Sequence, residues 1–231
     1  MYKIKTLRGT IFCTPIQYSN DFVASLAEIV KGYLPIIVRD NNALPIFPIW
    51  QLKSPDEKEL LAFNGEKIDL IKVVDSGIEF ELITEFAERC KSVFRRIMEV
   101  IGNPCSRIAL APSVVVAENE EKPTALFNKL FNVHEFDGVE LDTSNVSQVY
   151  RVEKNIGKRN IKINFVANFK AENDLVTTST GNQMRSRYIC DFDVNTMPLA
   201  EYRFVIADVE KFFDIAPAIF AQFYNNYFDG Q

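Results

Sequence analysis

The chain has 231 residues, 47% hydrophobic and 25% charged, with 26 bases against 31 acids for a net charge of −5. These are globular proportions, and they exclude disordered, collagenous and disulfide-scaffold classes. Nine glycines, no two closer than twelve positions, exclude G-x-G-x-x-G and P-loop phosphate cradles, and a single histidine removes every two-histidine metal site.

Residues 2 to 13 alternate at a period near two and predict a strand. A short helix follows from about Asn20, with Ser19 or Asn20 as its N-cap, Phe22, Leu26, Ile29, Val30 and Tyr33 on one stripe, and Gly32 and Pro35 at its end. Residues 34 to 74 hold short runs rich in Ile, Phe and Val, broken by turn residues, which predict several antiparallel strands. Asn64-Gly65 is a hairpin turn between 60–63 and 68–74.

The clearest helix covers 81 to 101, where Ile83, Phe86, Ala87, Cys90, Phe94, Ile97, Met98 and Ile101 form one stripe and Gly102 with Pro104 supplies the stop. A buried strand is expected over 107–117 and mostly loop over 118–142. Residues 146–153 and 161–169 then form a hairpin around the turn at 155–160, with one wet face. A turn-rich stretch at 173–182 precedes a strand at 188–194. A long helix at 207–228 closes the chain, and Pro217 should kink or split it.

The fold class is therefore α+β, with antiparallel sheet or sheets backed by two long helices. Each half runs from strands to one long helix, which suggests an internal duplication with units at 1–120 and 121–231, or one continuous domain. No stretch reaches the ~20 apolar residues that span a bilayer, and the first thirteen residues lack a signal-peptide core. Cys13, Cys90, Cys105 and Cys190 form no C-x-x-C pair, so reduced structural thiols and a cytoplasmic location are expected.

Three segments carry a resemblance: Pro48-Ile-Trp-Gln-Leu-Lys-Ser-Pro-Asp with Asn64-Gly-Glu-Lys-Ile-Asp, then Arg107-Ile-Ala-Leu, then Ile189-Cys-Asp-Phe-Asp-Val ahead of Phe220-Ala-Gln-Phe-Tyr-Asn-Asn-Tyr-Phe. The chain resembles a sporadically distributed family of uncharacterised bacterial proteins, in layout over nearly its whole length. That family's middle strand usually reads Arg-x-Gly-Leu-Arg-Tyr with an Asn following. Ala109, Ala111 and Pro112 stand here for its Gly, second Arg and Tyr. The resemblance implies a cytoplasmic bacterial protein without an established activity, whose scattered occurrence suits mobile or phage-defence gene clusters.

Charge gives the strongest signal outside the core. Arg151, Lys154, Lys158, Arg159, Lys162, Lys170, Arg185 and Arg187 face only three acids over 151–187, a net of +5. Such a segment can follow a phosphate backbone, or it can be a solvated strand face. The preceding stretch, 118–142, carries −5 and includes His134, Glu135 and Asp137, weak candidates for a divalent ion that match no metal-binding spacing. Asp191 and Asp193 fall on one face of a strand with Arg187 and Ile189, as weak catalytic candidates for metal-assisted phosphoryl transfer or as partners of nearby bases. Phe220, Phe223, Tyr224, Tyr227 and Phe228 can form core or bury against a partner subunit.

The reading these features support is a non-enzymatic binding or assembly component without a cofactor. Its partner would be a protein or a second copy, or nucleic acid along the basic segment. A metal-dependent nuclease and a regulator sensing a small ligand between the halves are the alternatives.

Overall fold

A computed structural model describes residues 3–13, 19–38, 49–77, 80–102, 104–118, 144–156, 158–178, 181–199 and 203–228. The elements in order are β1 (Lys3–Phe12), α1 (Asn20–Ile29), β2 (Leu34–Val38), β3 (Ile49–Lys53), β4 (Glu59–Asn64), β5 (Lys67–Gly77), α2 (Phe80–Ile101), β6 (Arg107–Glu118), β7 (Ser144–Ile156), β8 (Arg159–Thr178), β9 (Gly181–Thr196) and α3 (Ile206–Phe228). The nine strands form one sheet in the order β2-β3-β4-β5-β1-β6-β9-β8-β7, and every neighbouring pair is antiparallel.

Local chemistry sets the element ends. The Ser19 hydroxyl accepts the Phe22 N–H at 3.1 Å and caps α1. That helix stops at Ile29, one turn earlier than its stripe suggests. Tyr33 lies in the link to β2, where its hydroxyl reaches the Glu59 carboxylate, and Pro35 sits within β2, an outer strand that can spare an N–H. Gly102 ends α2 at φ 69° with its N–H bonded to the Met98 carbonyl at 2.8 Å.

Among the described residues, three helices cover one face of the sheet. Period-two alternation points Leu7, Ile11, Leu61, Phe63, Ile68 and Leu70 at α1 and α2, and Ile163, Phe165, Phe192 and Val194 at α3. The stripe of α2 and the aromatic stripe of α3 also meet each other. Phe94 and Phe213 lie 5.6 Å apart, Phe80 and Tyr224 likewise, and Lys91 binds Asp214 at 2.6 Å beside them.

Two expectations change. Residues 173–178 and 181–182 belong to strands and not to a turn-rich link: β8 and β9 stay paired out to Thr178 and Gly181. Polar composition there looked like a loop, but Val176-Thr-Thr is β-branched and extends readily. Of the kink or split expected at Pro217, the split does not occur: α3 runs through the proline as one helix of 23 residues. Packing of Phe212, Phe213, Ala216 and Phe220 on either side of the proline holds the helix together despite the missing bond.

Candidate functional site

The sheet face away from the helices carries a groove of about 490 Å³ at its centre. Its floor exists because β6 presents Ala111 and Ser113 on that side, and two small side chains leave space between taller neighbours. β1 supplies Thr6 and Arg8 on one flank, with Arg8 in register with Ala111. β9 supplies Asp191 and Asp193 on the other, and Asn168 and Lys170 of β8 stand behind them.

Asp191 is fully engaged. Its carboxylate accepts the Ser113 hydroxyl at 2.6 Å and the Lys170 ammonium at 2.8 Å. Asp193 is less well served: the nearest Arg107 nitrogen is 3.7 Å from Oδ2, and Oδ1 is buried without a hydrogen bond, as is the Arg107 Nε. Burial pushes the Asp193 carboxyl above the usual carboxylate range, against the pull of Arg107 and Arg8 and a bond from Asn195. The Arg107 guanidinium lies over the Phe12 ring, 5.2 Å from its centroid. Arg8 is exposed and makes no hydrogen bond or salt bridge among the described residues.

No family model matches the chain, and no curated protein matches it.

The alternation over 188–194 places Asp191, Asp193 and Ile189 on the open face and Cys190, Phe192 and Val194 on the helix face. The described bases of 151–187 fall at several places on the sheet. Lys170 belongs to the groove. Arg159 anchors the start of α3, donating to the Asp208 carboxylate at 2.6 Å and the Arg203 carbonyl at 2.9 Å while lying over Phe204. Arg151, Lys154, Lys158 and Lys162 are exposed along the β7–β8 hairpin, and the side chains of Arg185 and Arg187 lie outside the described residues.

The aromatic end of α3 packs on the chain's own sheet. Phe223 stacks on Phe165 at 4.3 Å, Phe220 meets Phe192 edge-on at 5.2 Å, and the Tyr227 hydroxyl donates to Gln148 at 2.5 Å. Phe220 and Tyr224 are buried there, Phe223 and Tyr227 half-buried, and the Phe228 side chain is outside the described residues. His134, Glu135 and Asp137 also lie outside them, and among the described residues no three His, Cys, Asp or Glu side chains converge as metal ligands.

Charge density along the chain does not single out Arg8, Arg107 or Ser113. The alternation of 2–13 carries a signal for Arg8, since it puts Thr6, Arg8 and Thr10 on one polar face.

Proposed function

We propose that the protein is a non-enzymatic binding component whose open sheet face takes an acidic group, with Arg8 as its anchor. One observation carries this: Arg8 is a groove cation without a bonded partner among the described residues, while Asp191 has Lys170 and Asp193 lies nearest Arg107. The acidic group belongs to a small carboxylate or phosphate, or to a side chain of a partner protein. Calorimetry with inorganic phosphate, glutamate and an acidic peptide separates those sources. Arg8→Ala is expected to weaken binding at least about tenfold. A chain that binds none of the probes, or binds them equally without Arg8, overturns the proposal.

Residues on both sides of the β1–β6 pairing line the groove, which favours a ligand-sensing role at the junction of two units. The topology supports reading those units as duplicates. In each, a first strand (β1, β6) is flanked by the last strand of the following meander (β5, β9), and a long helix comes next. The division then falls between α2 and β6. Superposing β1, β5 and α2 on β6, β9 and α3 should give a rotation near two-fold, and helices that fail to align would count against duplication. The four unbridged, buried cysteines fit a reducing compartment, hence the cytoplasm.

A phosphoryl-transfer enzyme using Asp191 and Asp193 is the second reading, favoured by the raised carboxyl of Asp193, a group suited to giving or taking a proton. Any nucleolytic activity should then vanish in Asp191→Asn with Asp193→Asn. Activity that survives both substitutions rules this reading out.

A further inference from the structure

β7 is the last strand of the sheet, and among the described residues nothing pairs with its outer edge along Ser144–Ile156. A bare edge of this length is a template for another strand. Ile156 faces Arg159 across a two-residue connection, a closing pair whose bonds point inward. Alternate residues from there, among them Val149, Arg151 and Glu153, therefore turn their backbone groups outward. Apolar surface lies open on both sides of this edge, with Val149 54% exposed and Tyr150 41% exposed. The charged side chains there also lack an ionic partner among the described residues. Arg151 bonds only the Asn164 amide oxygen at 3.3 Å and Glu153 accepts from Asn160 at 2.8 Å, and neither has a salt bridge among the described residues.

We propose that a second copy of this chain adds along β7, antiparallel, with a two-fold axis at Val152. In that register Arg151 faces Glu153 of the second copy and Glu153 faces its Arg151, so both charges gain partners through one symmetric contact. Tyr150 then faces Lys154 of the second copy, an ammonium beside an aromatic ring. Moving the axis to Arg151 sets two guanidinium groups opposite each other, and moving it to Tyr150 sets Arg151 opposite Val149 and Glu153 opposite Ser147. Only the Val152 register pairs unlike charges. The two open faces lie on the same side of the joined sheet, so both Arg8 grooves face one way.

Sedimentation equilibrium over a wide concentration range tests this. A dimer is expected, weakened at least about fivefold in Arg151→Glu and in Glu153→Arg, each of which sets like charges opposite one another. An equimolar mixture of the two variants should dimerise again, because every contact between the two different chains then pairs unlike charges. Both residues are exposed, and an unchanged melting temperature certifies the fold. Val152→Cys supplies a second readout. Two Cα atoms in such a pair lie ~4.5 Å apart, within reach of a disulfide, so mild oxidation should give a covalent dimer and Lys154→Cys should not. A monomer at every concentration overturns the proposal. So does a dimer indifferent to both charge variants and not cross-linked at position 152.

Discussion

A methyl group placed on Gly9 would lie 2.3 Å from the Sγ of Cys90 and 3.2 Å from the Phe94 ring. The central strand can therefore run directly beneath α2 only because residue 9 has no side chain. Gly9→Ala should destabilise the fold by ~1–3 kcal/mol through overpacking. Adding Cys90→Ala removes the clashing atom, so the double variant should be more stable than Gly9→Ala alone. Urea unfolding of the four chains of the cycle measures this, and simple additivity would mean the two residues do not compete for space.

Asp193 holds its charge at a cost. Its folded-state carboxyl is raised by burial, so the folded protein binds that proton more tightly than the unfolded chain. Stability from this group is present below the unfolded carboxylate value and is lost as pH rises through the folded one. Asp193→Asn is therefore expected to be more stable than the parent at neutral pH, with the gain fading in acid. Melting temperatures from pH 3 to pH 8 test it, and a variant less stable at pH 7 would show that the carboxylate stabilises the groove instead.

Arg159 separates structural from surface bases. It bonds Asp208, whose carboxylate also accepts the Val205 N–H at 3.1 Å at the entry to α3. Arg159→Ala should cost ~1–3 kcal/mol, since a charged hydrogen bond to a mostly buried carboxylate is lost. Lys158→Ala, one residue away and exposed, should be neutral within about 0.5 kcal/mol. If nucleic acid binds the hairpin, affinity should fall steeply with salt and with Lys158→Glu and Lys162→Glu while the fold is retained.

The alkaline limb of stability should involve Tyr33 and Cys13. Burial pushes both groups up to about 12, and the Glu59 carboxylate bonded to the Tyr33 hydroxyl adds to its shift. Their contribution is complete below the unfolded values and is lost as pH climbs through about 12. Tyr33→Phe should flatten that loss between pH 10 and 12. Cys13, Cys90, Cys105 and Cys190 are all buried, so a thiol reagent at pH 8 should label none in the native protein and all four in denaturant.

The long elements were legible because burial writes a period into them. The stripe of α2 and the clean alternation of Ile161, Ile163, Phe165, Ala167 and Phe169 each need one buried face, and both appear as expected. The outer arms of β8 and β9 were not legible, since Asn, Asp, Thr and Gly serve turns and solvated strands alike. The groove was half legible. Asp191 and Asp193 announced a shared face, but Arg8 joins them only through the pairing of β1 with β6, and a strand's neighbours are not written in its own residues.

That pairing joins residues about a hundred positions apart, such as Gly9 and Leu110. Contacts so distant form slowly, because the loop must close before any bond is gained. Each unit can first close on itself, β1 onto β5 and β6 onto β9, leaving a bare edge of nine paired positions on either side of the seam. During synthesis the first edge is complete while β6 is still being made. The junction that shapes the groove is thus also the interval in which a nascent chain is most exposed to pairing with the wrong neighbour.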